Sequence, residues 1–169
     1  MIRNGSPARV IGVGECIASG NPAESLATYA LGSCIALAIC DRAARVGGLL
    51  HFLLPDASYE PARRRNNLYL CADTGVPELL KLCIQLGARK TRLSVCAAGG
   101  ASILLNGAFF NVGRKNQIGL ERALAKAGLK LHAVAMGGQI SRAMRLEIGS
   151  GRFWVRDESR PEELLFGAL

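Results

Sequence analysis

Ile35-Ala36-Leu37-Ala38-Ile39-Cys40-Asp41-Arg42-Ala43-Ala44-Arg45-Val46-Gly47-Gly48-Leu49-Leu50-His51-Phe52-Leu53-Leu54-Pro55 holds two apolar runs, 35–40 and 46–54, around a compact polar turn. Neither run alternates cleanly between apolar and polar residues, so both read as strands covered on both faces. Pro55 ends the second run, because proline cannot donate to a strand ladder. If residues 41 and 46 flank the turn, the two strands pair antiparallel with Ala36 opposite His51 and Cys34 opposite Leu53. Cys34 and His51 are then diagonal neighbours on one face, roughly 7–8 Å apart between backbones and within side-chain reach. A shift of one residue on each strand sets them directly opposite and keeps them on the same face.

Outward from this hairpin the chain alternates strands and helices with no domain break, internal repeat or low-complexity segment. Residues 10–13 and 26–29 read as short strands. Residues 56–66 read as a mobile polar loop. Residues 67–86 carry Leu79, Leu82, Cys83 and Leu86 on one helical face, with Gly75-Val76-Pro77 predicting a kink or a restart. Gly87 stops this helix. A strand over 93–97 runs into Gly99-Gly100-Ala101-Ser102, a helix over 117–127 closes at Gly128, and a strand over 129–135 ends at Gly137-Gly138. Alternation in Met144, Leu146 and Ile148, and again in Phe153 and Val155, reads as a second hairpin.

The 169 residues suffice for one well-buried domain, spanning 1–169. Half of them are hydrophobic and 20% are charged, a balance that excludes disorder. The longest apolar stretches are too short to cross a bilayer, and the first residues lack an apolar core of signal-peptide length. The expectation is a cytoplasmic protein with no membrane insertion. The six cysteines, at 16, 34, 40, 71, 83 and 96, show no C-x-x-C spacing, so no metal site is expected. Five of them read as small buried hydrophobes. The formal charge of +8 suits an acidic partner. Its positives are scattered (Arg63-Arg64-Arg65, Arg89-Lys90, Arg114-Lys115, Arg142, Arg145), few aromatics accompany them, and no recognition motif appears, so nucleic acid is not the expected partner.

The remaining cysteine carries the chemistry. Cys34 follows Gly32-Ser33, and His51 stands seventeen positions later. A thiol beside an imidazole attacks acyl carbons, and His51 should lower the Cys34 pKa. Gly32 permits a sharp turn that aims the backbone N–H groups of Ser33 and Cys34 at a developing oxyanion. Thr28 is a candidate to orient the imidazole through its hydroxyl or a nearby carbonyl. Asp41 and Asp56 have no spacing argument for that role. Each of these residues also has a structural reading: a packed cysteine, a core histidine with a satisfied ring, a serine that only makes the turn. Asn111 and Asn116 read as loop-ordering residues or substrate contacts, Phe109-Phe110 as core or partner surface, and His132 as structural. Gly99-Gly100 lacks the context of a phosphate loop and reads as a chain crossing near the site.

The stretch Tyr29-Ala30-Leu31-Gly32-Ser33-Cys34-Ile35-Ala36, followed by Val46-Gly47-Gly48-Leu49-Leu50-His51-Phe52-Leu53-Leu54-Pro55, resembles the CheD family of bacterial chemotaxis. The resemblance continues through residues 69–74, Gly99-Gly100-Ala101-Ser102, Asn111-Val112-Gly113-Arg114-Lys115-Asn116 and Gly137-Gly138. It implies an α/β fold, a layered α/β/β sandwich related to the catalytic domains of deamidating toxins. It implies a chemoreceptor glutamine deamidase whose catalytic threonine, cysteine and histidine fall on Thr28, Cys34 and His51, with no metal or cofactor. The implied partners are chemoreceptor cytoplasmic domains. A CheC-type phosphatase is a further implied partner, which makes a regulatory binding module the alternative reading. The Gly75-Val76-Pro77 break departs from the continuous helix expected of relatives.

Overall fold

The computed structural model describes residues 7–105 and 108–168, without the side chains of 63–65, 103–105 and 108–110. In chain order the strands and helices are β1 (Arg9–Ile11), β2 (Glu15–Ser19), β3 (Ser25–Leu31), β4 (Ile35–Asp41), β5 (Val46–Phe52), α1 (Pro61–Asn66), α2 (Ala72–Gln85), β6 (Ser94–Gly99), β7 (Ile103–Leu105), β8 (Ala108–Phe110), α3 (Val112–Ala127), β9 (Ala133–Met136), β10 (Arg142–Glu147), β11 (Arg152–Asp157) and β12 (Glu163–Phe166). One five-stranded sheet runs β1-β3-β10-β11-β12, and a second runs β2-β5-β4-β6-β9. Strands β7 and β8 pair as a separate ribbon.

The second sheet is the middle layer, and β4 shows why. All seven of its residues are buried. Ile35, Leu37 and Ile39 pack with Val76, Leu79 and Cys83 of α2 and with Leu120 and Leu124 of α3. Ala36, Ala38 and Cys40 turn to the first sheet and meet Leu26, Met144, Leu146 and Phe153. Large residues face the helices and small ones face the other sheet, as strand alternation requires. The result is an α/β/β sandwich with one apolar core on each side of β4 and β5, in agreement with the expected fold class.

The hairpin register is the one the turn predicts: Ala36 pairs with His51 and Asp41 with Val46. The β10–β11 hairpin also forms as read. Other expectations are corrected. The helix over 67–86 does break, but at Cys71: a 3-10 turn covers Leu68–Leu70, and α2 then runs unbroken through Pro77. Pro77 falls early in α2, where its missing N–H costs a single bond to the carbonyl of exposed Asp73. Gly75 is there for contact, since a Cβ on it would come 2.9 Å from Leu50 of β5. The loop expected over 56–66 contains α1. Helix α3 starts five residues before Gln117, and β9 opens at Ala133 rather than Leu129. Strands β2 and β12 carry no clear alternation and are additional to the sequence reading. The Arg63-Arg64-Arg65 and Phe109-Phe110 side chains lie outside the described residues.

Candidate active site

Three backbone segments converge at one end of the seam between the sheets. Cys34 sits one residue before β4, His51 is the penultimate residue of β5, and Thr28 belongs to β3 in the opposite sheet. On β5, Leu49 faces the other sheet and Leu50 the helices, so alternation turns His51 toward the first sheet. Ala36 shares that face, and the same alternation carried two residues back turns Cys34 to it.

Thr28 crosses the seam. Its Oγ1 lies 2.8 Å from Nδ1 of His51 and 2.8 Å from the carbonyl oxygen of Ile11, its partner residue in the parallel β1–β3 pair. A hydroxyl has one proton, and a carbonyl only accepts. The arrangement that satisfies all three atoms has Thr28 donating to Ile11 and accepting from Nδ1–H. That fixes the tautomer and leaves the Nε2 lone pair free. Nε2 is buried and has no hydrogen-bond partner among the described residues; the sulfur of Cys34 does not bond it in this resting arrangement. A buried polar atom left without a partner costs stability and calls for an explanation.

His51 is 1% exposed. Burial pushes its pKa down to about 4, with the Glu15 carboxylate pulling the other way. Burial likewise raises the Cys34 thiol, against its own backbone N–H, which favours the thiolate. The expectation that His51 lowers the thiol pKa is therefore corrected: desolvation dominates, and the resting pair is neutral thiol and neutral imidazole. Cys34 is itself buried, and half-buried Cys16 is the most open of the six cysteines.

The loop before β4 is held by its carbonyls. Gly32 accepts from Ala101 N–H at 2.8 Å, and Cys34 accepts from Gly100 N–H at 2.8 Å. Ser33 accepts from the Nδ2 of Asn116, at 2.8 Å. A Cβ on Gly99, whose φ is +108°, would lie 2.2 Å from the Cys34 oxygen, so the chain crosses here by virtue of glycine. The crossing expected of Gly99-Gly100 is thus present. Neighbouring Ala30 holds a φ of +56°, a strained value for a residue with a Cβ.

Other candidates are set apart. Asp41 closes the far end of β4, where it accepts from Ala44 N–H, Arg89 N–H and the Arg92 guanidinium. Asp56 accepts from Ser58. His132 accepts from Val95 N–H through Nδ1 and meets the Phe166 ring edge-on, which is a structural role. Asn111 precedes α3 without a side-chain cap bond. Sequence reading missed Glu15, which pairs directly with His51 across β2–β5; its carboxylate is anchored on the Gly12 N–H at 2.7 Å. It also missed the Ile11 carbonyl, a backbone group that leaves no mark in a sequence.

A family model described as CheD chemotactic sensory transduction matches residues 53–157. The match begins past His51, so it speaks to the scaffold around the site. Full-length relatives extend it. The chain is 47% identical over 156 residues to a protein of Solibacter usitatus named "Probable chemoreceptor glutamine deamidase CheD", covering 92% of each chain. It is 40% identical over 152 residues to a similarly named protein of Syntrophus aciditrophicus (90% of this chain, 95% of that one). To another of that name in Pyrococcus horikoshii it is 38% identical over 149 residues (86% and 90%). Likeness of this extent, over nearly the whole of both partners, establishes membership: the chain belongs to the CheD family.

Proposed function

We propose that this chain deamidates glutamine side chains of chemoreceptors, with Cys34 as nucleophile, His51 as general base and acid, and Thr28 as the residue that orients the imidazole. The observation that carries the reading is the tautomer set by Thr28 and Ile11: an imidazole with Nδ1–H engaged and a free Nε2 lone pair, on the face that Cys34 shares. The relatives' names supply the substrate class.

Nε2 takes the thiol proton as Sγ attacks the side-chain amide carbon. The tetrahedral oxyanion forms beside the backbone N–H groups of Ser33 and Cys34, at the turn made by Gly32. Collapse expels ammonia, which leaves with the proton from Nε2, and a thioester remains. Water then attacks the thioester carbon while Nε2 removes its proton. The proton returns to sulfur, and glutamate is released. Because the resting pair is neutral, proton transfer and attack are coupled, and the imidazolium exists only from the moment Sγ adds to the amide until Nε2 hands its proton on. Glu15, across the strand from His51, favours the imidazolium in that interval.

The positive charge of the chain suits an acidic receptor surface. No helix among the described residues is long and apolar enough to cross a membrane, and the reading places the chain in the cytoplasm, as one domain over 1–169. The family resemblance supports a second role, binding a CheC-type phosphatase. Cys34→Ala separates the two: receptor deamidation, read by mass spectrometry of a receptor cytoplasmic fragment, should vanish while phosphatase binding persists. Undiminished deamidation by Cys34→Ala would remove the proposed nucleophile.

A further inference from the structure

Asn116 is fully buried in the first turns of α3. Its Nδ2 donates to two carbonyls, Ser33 at 2.8 Å and Leu53 at 2.9 Å, while its Oδ1 is buried without a partner among the described residues. A residue kept only to fill space would be apolar, since a buried amide with an orphaned oxygen costs stability. The two N–H protons are what the position retains.

Their targets are specific. The β4–β5 ladder ends at Ile35 and Phe52. Ser33 and Leu53 lie just beyond, so Asn116 ties the strand ends together where the backbone ladder stops. The peptide joining Ser33 to Cys34 is trans and planar, so its C=O and N–H point in opposite directions. A Ser33 carbonyl held toward α3 forces the Cys34 N–H away from α3. Three consecutive carbonyls, of Gly32, Ser33 and Cys34, are thus held, by Ala101, Asn116 and Gly100. The amides of Ser33 and Cys34 donate to no backbone carbonyl among the described residues.

We infer that Asn116 is a positioning residue for the deamidation: by gripping the Ser33 carbonyl it aims the Cys34 N–H at the oxyanion that forms when Sγ adds to the amide. This rests on the reading of Cys34 as nucleophile. Asn116 is sealed from solvent and acts through the Ser33 carbonyl, so its effect is confined to a step in which a carbonyl oxygen gains charge.

The test compares two reactions of the same sulfur. Deamidation of a chemoreceptor cytoplasmic fragment passes through an oxyanion. Alkylation of Cys34 by iodoacetamide displaces iodide and forms none. For Asn116→Ala, with folding checked by circular dichroism and thermal melting, kcat should fall about 10- to 100-fold, less than the full loss of an oxyanion donor. KM and the Cys34 alkylation rate should stay within about threefold of wild type. Alkylation falling in step with kcat would mean that the sulfur itself has moved, and an unchanged kcat would mean that the amide is held by other bonds; either overturns the inference. Should Asn116→Ala fail to fold, Asn116→Ser keeps one donor, and the same readings apply with a smaller fall in kcat. Cys34→Ala, run in parallel, isolates the premise: turnover without the thiol discards the nucleophile whatever Asn116 does.

Discussion

Thr28→Val replaces a hydroxyl by a methyl group of the same shape and removes the bond that joins the two sheets through the imidazole. Two buried groups lose their partner, Nδ1 of His51 and the carbonyl of Ile11. Leaving such groups unsatisfied costs about 1–3 kcal/mol, so Tm should fall by several degrees in a domain of this size. The catalytic effect is a separate quantity. A net bond of about 1 kcal/mol holds the ring in the Nδ1–H tautomer, which corresponds to roughly a fivefold to tenfold preference. Without it the ring also populates the form whose Nε2 carries the proton and cannot act as base, and its orientation loosens. Activity should drop about threefold to tenfold in kcat, a few-fold from the tautomer and the rest from the loosened ring, with little change in KM. Ammonia release from a chemoreceptor fragment measures the rate, and the nitrogen-15 shifts of His51 report the tautomer. Thr28→Ser, which keeps the hydroxyl, should recover most of both. Wild-type kcat in Thr28→Val, with an unaltered tautomer, would refute the role given to the hydroxyl.

The His51 imidazole binds protons less readily when folded, with a pKa near 4 against an ordinary 6.5. Between those values the unfolded chain takes up a proton that the folded one does not. Stability should therefore decline by about 3 kcal/mol as pH drops from about 6.5 to about 4, with no further contribution below. Denaturant midpoints of wild type and His51→Ala over that range test this. The acid limb of kcat/KM should likewise lie near pH 4, where the base is lost, and a limb near the ordinary imidazole value would contradict the burial argument. Iodoacetamide should label Cys34 slowly at neutral pH and faster as pH rises, yet ahead of Cys16, Cys40, Cys83 and Cys96, whose thiols burial pushes up to about 12. Peptide mapping that finds Cys40 or Cys96 modified first would overturn this order. Asp41→Ala removes a buried carboxylate that accepts from the Arg92 guanidinium and two amides; the guanidinium left behind still reaches solvent, so the fold should lose about 1–3 kcal/mol in urea while per-molecule activity is spared.

The hairpin was legible because two signals agreed. The polar turn at 41–45 fixed the register, and the apolar runs on either side showed strands covered on both faces. From that register alone Cys34 and His51 fall on one face. The first sheet was harder to read. Its contribution to the site is Thr28, twenty-three positions from His51, carried to the ring by the packing of one sheet on the other and set beside the Ile11 carbonyl by a parallel β1–β3 pair that no local pattern announces. Glu15 was lost because β2 is an edge strand of mixed polarity, without the alternation that marks a half-buried strand. The thiol pKa was misjudged for a related reason. Sequence shows which groups are neighbours, whereas desolvation depends on both cores closing over them, and here desolvation outweighs the neighbour. Proline at 77 misled because a breaker's effect depends on where the helix begins. Helix α2 begins at Ala72, so Pro77 lies within its opening turns.

The central claim is that Cys34 forms a covalent thioester with a receptor glutamine while His51 supplies and removes the protons. Rapid acid quench of the wild-type chain with a chemoreceptor cytoplasmic fragment, followed by intact-mass analysis, addresses it directly. The account predicts a transient adduct of the two chains, minus ammonia, that maps to Cys34, with glutamine converted to glutamate as it decays. Glutamate appearing at the wild-type rate in Cys34→Ala, with no adduct at any quench time, would contradict it.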